Sequence, residues 1–290
     1  MKRIAESELI INGDGSVFHL HIRPEELADT VILVGDPGRV ELVSSFFETK
    51  EFNRSSREFN TVTGTYKGKR MSVISTGIGC DNIDIVMNEL DALANIDFKT
   101  RTIKEVKKSL RILRLGTCGA VQPDIPLGSL IFSHISVGCD GLLNWYENRD
   151  EIAIKDIEEA FVKHVVWNKY LPTPYFVKAD PELISLFEKD TVKGMTISAS
   201  GFYGPQGRVL RIPLAIPDMV EKFESFRFGE WRITNFEMEG SAIAGLAAKL
   251  GHKGATMCTA IANRHLHESQ PDYKKFVNNM VVLALEKLSL

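Results

Sequence analysis

The strongest constraint on this chain is a rhythm: short β-branched runs stop at glycine, and each gives way to a segment with apolar residues at helical spacing. "VILVGD" (31–36) leads into Pro37 and a periodic segment through Phe47, which predicts a strand, a tight turn and a helix with proline in its first turn. "TVTGTYKGKRMSVISTGIG" (61–79) predicts a hairpin around Lys67-Gly68-Lys69 with a glycine-bearing exit, and "DNIDIVMNELDALAN" (81–95) a helix behind an Asp81 cap. Further strands are expected at 110–121, 128–138, 173–180, 194–200 and 254–262, and helices at 155–170, 181–190, 240–250 and 272–288. The polar, basic stretch 98–109 reads as a solvated helix turn or loop. Such alternation builds an α/β fold around one central mixed sheet flanked by helices. No repeat and no linker-like cluster interrupts it, so one domain over 1–290 is expected.

Composition narrows the function classes. At 44% hydrophobic the 290 residues can bury a large core, while a formal charge of -3 with dispersed Lys and Arg gives no nucleic-acid footprint. Cys80, Cys118, Cys139 and Cys258 stand far apart with no CxxC pair, which argues against a zinc site or a disulfide framework and for a reducing compartment. The first twenty residues lack a signal-peptide core and no apolar run is long enough to cross a bilayer, so a cytoplasmic protein without membrane partners is expected.

Chemistry points to the strand ends. Glycine-rich turns there let backbone N–H groups approach an anion, and three occur: "GDPGR" (35–39), "STGIG" (75–79) and "LGTCGA" (115–120). None is a GxGxxG or Walker loop, so dinucleotide and NTP readings lose support. Arg39 and Arg114 adjoin two of these turns and Arg57 sits in "SSREF"; a guanidinium fork suits a phosphate dianion, although any one of them could be a surface ion pair. "GFYGPQGRVLR" (201–211) offers an aromatic pair, Gln206 and Arg208; a glutamine amide presents donor and acceptor side by side, matching a nucleobase edge, and an ordinary loop is the alternative. In "NFEMEGSAIAG" (235–245), Glu237 and Glu239 either favour a helix N-terminus electrostatically or place a carboxylate where a sugar diol could donate to it.

Taken in order, "VFHL" (17–20), "VGDPGRV" (34–40), "REF" (57–59), "STGIG", "LRLGTCGAVQPDIPLGSL" (113–130), "FYGPQGR" (202–208), "FEMEG" (236–240) and "IANR" (261–264) resemble the nucleoside phosphorylase superfamily, closest to its uridine phosphorylase branch. The resemblance covers nearly the whole chain and implies a three-layer α/β/α domain, with 1–16 as an N-terminal extension. It implies that Gly35, Arg39, Arg57, Arg114 and Thr117 hold inorganic phosphate as co-substrate, with no cofactor. Phe202 would face ribose and base, Gln206 and Arg208 would pair with the pyrimidine edge, and Met238 and Glu239 would hold the ribose. Arg264 would complete the nucleoside site, and Arg114, Glu239, Gln206 and Arg208 would carry catalysis. His19, in a detachable N-terminal arm, would reach the neighbouring subunit's ribose 5′-hydroxyl, so a homodimer is the minimum unit and the resemblance favours a hexamer. Glu58 and Ser75 match positions where some relatives hold a monovalent cation such as K⁺. "IANRHLHE" (261–268) has Asn263-Arg264 where purine-specific relatives use an Asp, which favours uridine. A purine nucleoside phosphorylase, a nucleosidase of the same fold and a catalytically silent nucleoside-binding protein are the rivals.

Overall fold

The computed structural model describes residues 3–290. Its first half runs β1 (Thr30–Val34), α1 (Pro37–Ser44), β2 (Thr49–Ser56), β3 (Phe59–Tyr66), β4 (Lys69–Ser75), α2 (Cys80–Asn95), the short pair β5 (Ile96–Asp97) and β6 (Thr102–Ile103), and β7 (Arg111–Ala120). The second half adds β8 (Leu130–Gly138), α3 (Lys155–Val165), β9 (Tyr175–Lys178), α4 (Pro181–Phe187), β10 (Val192–Ser198), α5 (Met219–Ser225) and β11 (Arg227–Phe228). It closes with β12 (Trp231–Glu237), α6 (Gly240–Leu250), β13 (Lys253–Asn263), β14 (Glu268–Ser269) and α7 (Lys274–Leu288).

The sheet is mixed, in the order β11-β12-β10-β8-β13-β7-β1-β4-β3-β2, and an extra pairing of β12 with β7 closes β12, β10, β8, β13 and β7 into a ring. That closure joins Asn235 to Ala120 and Phe236 to Gly119, which brings the "NFEMEG" strand against the end of "LRLGTCGA". β1 lies parallel between β4 and β7, with Val34 opposite both Ser75 and Leu115. β1 and β4 end together, so the glycine turns at 35–39 and 75–79 meet at one edge, whereas 115–120, expected as a third turn, continues as strand β7 paired with β13. Val31, Ile32, Leu33 and Val34 are fully buried, as a strand covered on both faces requires. One core contains α2 and α6 side chains such as Met87, Leu90 and Ile243; another contains Val40, Leu183, Met280 and Val281 from α1, α4 and α7. The helices thus cover both faces, the layering expected of the sequence.

Several boundaries differ from expectation. α2 is capped by Gly79 at φ 102°, and Asp81 stands in its first turn. α1 ends at Ser44, and α3 ends at Val165 because Val166 turns left-handed at φ 57°. Among the elements without a signal in the sequence pattern, β2 is an edge strand in which half-buried Phe52, Arg54 and Ser56 alternate with exposed residues, α5 is two turns long, and β12 ends on the first of the two acids, Glu237.

The N-terminal segment is fastened along its length. Val17, Leu20 and Ile22 are fully buried in the main core, so the stretch carrying His19 is not a detachable arm. Before it, Ile4 N–H donates to Arg101 O at 2.8 Å, and the Arg101 guanidinium donates to Ile4 O, Ala5 O and Leu9 O. Arg101 is buried, and 98–109 forms a two-residue strand and loop instead of a helix turn. Buried carbonyls need donors, and a guanidinium supplies several in one plane, so each segment satisfies the other.

Candidate active site

The glycine turns, α2 and the β12–α6 junction wall a cavity of about 1100 Å³, room for a metabolite with a second small anion beside it. At the end of β1, Asp36 Oδ1 accepts from Gly38 N–H at 2.9 Å and caps α1, whose first turn carries Arg39; Arg39 Nη1 donates to Leu115 O at 3.3 Å. A Cβ on Gly35 would stand 3.4 Å from Gly77 O, so the two turns lie nearly in contact.

Arg114 from β7 is 5% exposed, and both acids singled out in the sequence attend it. Its Nη2 pairs with Glu239 and its Nη1 lies 3.4 Å from Glu237, while Nε has no protein partner. Gly116 makes room for the pair, since a Cβ there would fall 2.1 Å from Arg114 Nη1. Burial works to lower the Arg114 pKa, but the charges of Glu239 and Glu237 reverse this and hold it above the ordinary arginine value. Arg39 moves the other way, lowered by burial and by the like charge of Arg114.

Glu237 and Glu239 divide their work. Glu237 accepts from Glu239 N–H at 2.8 Å, from Gly240 N–H at 2.8 and 3.0 Å, and from the Ser198 hydroxyl, so it closes the N-terminus of α6. Burial, with the Glu239 charge beside it, holds its carboxyl above the usual range against the pull of Arg114. Glu239 accepts from Gly79 N–H at 2.7 Å at the start of α2 and faces the cavity with Met238.

The opposite wall is the 3₁₀ turn Gly204–Gln206 and its flanks. The Arg208 guanidinium lies 3.8 Å above the Phe202 ring centroid, and its Nη1 donates to Phe202 O at 2.6 Å and Gln206 Oε1 at 2.8 Å. Phe202 is 52% exposed and Gln206 is buried. Arg264 Nη1 donates to Gln206 O at 2.9 Å, pinning the turn from the β13 side. Burial, then the Arg264 charge, lowers the Arg208 pKa to about 10. Asn263 serves the scaffold: its amide donates to Gln122 O and Ile125 O, and its Oδ1 accepts from His265 and Leu266 N–H.

The fold gathers Gly35, Arg39, Arg114, Thr117, Phe202, Gln206, Arg208, Met238, Glu239 and Arg264 around this cavity, and leaves two expected residues out. Arg57 is an exposed residue at φ 53° in the β2–β3 turn, 5.8 Å from the Phe18 ring centroid. His19 stands beside Phe18, ring centroids 4.8 Å apart, with its Nδ1 on Glu89. Neither lines the cavity of its own chain. Glu58 does, and the Ser75 hydroxyl donates to Glu58 O at 2.6 Å and accepts from Asn60 N–H at 2.7 Å, which ties the two residues together within one chain. Among the described residues no group of three His, Cys, Asp or Glu could hold a metal ion. Asn82, His267, Gln270 and Tyr273 also line the cavity. The last three arrive because the chain folds back after β13, and nothing in "HLHESQPDY" (265–273) marks them for it.

The profile of the phosphorylase superfamily matches residues 29–288. The chain belongs to that superfamily. It is 30% identical over 277 residues to a uridine phosphorylase of Thermococcus kodakarensis, covering 92% of this chain and 85% of the relative. A solved Trypanosoma brucei nucleoside phosphorylase with uridine phosphorylase activity superposes at a TM-score of 0.85 with 30% identity, covering 97% of this chain and 99% of the other. A Phytophthora capsici uridine phosphorylase (TM-score 0.69, 21% identity, 96% of both chains) and a Toxoplasma gondii purine nucleoside phosphorylase (0.66, 20%, 97% of this chain and 98% of the other) share the fold about equally. Fold alone therefore leaves base choice in this superfamily to the site.

Proposed function

We propose that this phosphorylase-superfamily protein cleaves a pyrimidine nucleoside by phosphorolysis, converting uridine and phosphate to uracil and ribose 1-phosphate. The observation that carries the reading is one cavity holding three chemistries: a glycine cradle with Arg39 and Arg114, the Glu239 carboxylate with Met238, and the Gln206–Arg208 pair. Relatives named as uridine phosphorylases support it.

In this reading Gly35, Arg39, Arg114 and Thr117 hold phosphate, and Glu239 accepts from the ribose hydroxyls. A phosphate oxygen bonds to C1′ as the bond from C1′ to the base nitrogen breaks. That electron pair leaves with uracil, which takes a proton from solvent. The sugar passes through oxocarbenium character, favoured by the phosphate charge and Glu239, while donors from Gln206 and Arg208 favour the charge growing on the base. Arg264 holds the base-side turn and Phe202 covers the ligand. Hydrolysis needs no dianion site, so the arginines at the glycine turns favour phosphorolysis. Asn263, turned onto backbone carbonyls, and Arg264 stand where a purine reading expects an Asp.

His19 lies outside its own cavity, so we assign it to a neighbouring subunit's ribose 5′-hydroxyl; Arg57, on the same patch through Phe18, would accompany it to that neighbour's phosphate. A homodimer is then the smallest active unit, with a hexamer as the fuller assembly, and a fully active monomer in sedimentation velocity would overturn this. A cation beside Glu58 and Ser75 is not required. We place the enzyme in the cytoplasm, in nucleoside salvage: all four cysteines are unpaired, and no described helix is long and apolar enough to cross a membrane.

The test is release of free base from uridine, thymidine and inosine, each with and without inorganic phosphate. Phosphate-dependent release from uridine is expected; release without phosphate would make the protein a nucleosidase, and preference for inosine would overturn the pyrimidine reading. No release at all would leave a silent binder.

A further inference from the structure

Glu89 is not among the residues that line the cavity and takes no part in the chemistry above, yet it is the most heavily used carboxylate on α2. It is 12% exposed at the side chain and receives two successive backbone N–H groups and one imidazole from the N-terminal segment. His19 N–H donates to its two oxygens at 3.0 and 3.2 Å, Leu20 N–H donates at 2.9 Å, and His19 Nδ1 lies 2.6 Å from Oε1. An ionised carboxylate only accepts, so Nδ1 carries a proton and Nε2 is the nitrogen left for another molecule. The ring is further fixed edge-on by Phe18, with centroids 4.8 Å apart, and by Phe59 at 6.3 Å, while Val17 and Leu20 anchor the turn in the core. The imidazole is still 25% exposed. Its tautomer and direction are set before any ligand arrives.

We infer that Glu89 is a positioning residue for nucleoside binding: it holds His19 with Nδ1 protonated so that Nε2 meets the ribose 5′-hydroxyl. The inference rests on the assignment of His19 made above. A free imidazole divides itself between two tautomers and several rotamers, and each wrong form must be reversed when the ligand binds. The carboxylate removes that cost in advance, and it does so from α2, whose first turn also meets Glu239 through Gly79. One helix then serves its own site at its start and the turn carrying His19 two turns later.

The variant that separates positioning from mere structure is Glu89→Gln. Its amide keeps the shape but offers one acceptor and one donor, so either His19 Nδ1 faces an NH₂ and the tautomer inverts, or Leu20 N–H loses its acceptor. Phosphorolysis is measured for uridine and for 5′-deoxyuridine with one preparation of wild type, Glu89→Gln, Glu89→Ala and His19→Ala, and kcat/KM for the two nucleosides is compared as a ratio. The ratio cancels any loss of folded enzyme. It should fall about ten-fold in both Glu89 variants, chiefly through KM for uridine, with 5′-deoxyuridine changed less than two-fold, and at least as far in His19→Ala. A ratio that falls in His19→Ala but holds in the Glu89 variants overturns the role of Glu89 while keeping that of His19. A ratio unmoved in His19→Ala overturns the assignment of His19 and the inference with it. Independently of any substrate or variant, ¹⁵N NMR of histidine-labelled wild-type protein at alkaline pH should find His19 protonated at Nδ1; protonation at Nε2 alone would refute the inference.

Discussion

Replacing Arg114 by Met should separate two losses that one mutation usually confounds. The guanidinium is 5% exposed, pairs with Glu239 and lies 3.4 Å from Glu237, so its removal leaves two buried carboxylates without their cation. Breaking a buried pair on one side costs about 3–5 kcal/mol, whereas removing both partners is often near neutral. Arg114→Met should therefore lower the urea midpoint sharply, and Arg114→Met/Glu239→Gln should recover at least about 2 kcal/mol of that loss, since the Gln amide oxygen can still accept from Gly79 N–H. Activity should not follow. Phosphate-dependent base release should be roughly 10²- to 10³-fold down in kcat/KM in Arg114→Met, because the anion has lost its donor, and at least as far down in the double variant, which has lost the ribose carboxylate as well. The deficit also has a pH sign. Glu237 is already raised in the folded state, and losing Arg114 raises it further. A raised carboxyl contributes stability below the unfolded value near 4.5 that disappears as pH climbs through the folded value, so the Arg114→Met deficit should be larger at pH 7 than at pH 4.5. Both are read by urea titration at fixed protomer concentration, with turnover measured alongside. A single variant as stable as wild type would show that the pair does not hold the site together. Turnover that returned with stability in the double variant would show that Arg114 is not an anion donor.

Three further outcomes follow from the geometry. Gly116→Ala should displace the Arg114 guanidinium, because its Cβ would fall 2.1 Å from Nη1; kcat/KM should fall at least about ten-fold, and unchanged kinetics would mean that the guanidinium has room to spare. Gln206→Ala and Arg208→Ala should each reduce uridine cleavage by about 10²-fold while leaving the phosphate KM within two-fold, and a large rise in that KM would place these side chains at the anion instead. Glu26 is buried, and its pKa is lowered because hydrogen bonds from Arg54 and from Arg23 N–H outweigh the penalty of burial. A depressed carboxyl contributes stability above the unfolded value near 4.5 that is lost as pH falls through the folded value. Glu26→Gln should therefore flatten the acid limb of the stability curve between about pH 5 and 3; an unchanged limb would remove Glu26 from acid unfolding.

How much was legible can be followed residue by residue. The strand, turn and helix at 31–44, the hairpin at Lys67-Gly68 and the helix 240–250 are written locally, in β-branched runs, glycines and apolar spacing, and the structure has them. β2 and β12 were not legible. One is a polar edge strand, and the other is recognised only by the partners it finds in β10 and β7. The residues alone left the division between Glu237 and Glu239 open for the same reason, and only the family resemblance assigned the ribose to Glu239. Both acids precede one helix and both line the cavity, and only the tertiary structure shows that Glu237 is taken up by the N–H groups opening α6 while Glu239 meets Gly79 at the start of α2.

The sequence by itself determined the α/β class, the glycine turns after β1 and β4 and the identities of the charged residues beside them, because backbone freedom and side-chain chemistry are local properties; that 115–120 is strand and not a third turn was decided by its pairing with β13. Only the tertiary structure decided that Arg114 is held between two carboxylates and that Arg57 and His19 stand outside the cavity of their own chain. It also decided that Arg101 fastens the N-terminal segment. Each of these depends on two stretches far apart in the chain meeting where water is excluded, and no local pattern fixes the distance between them.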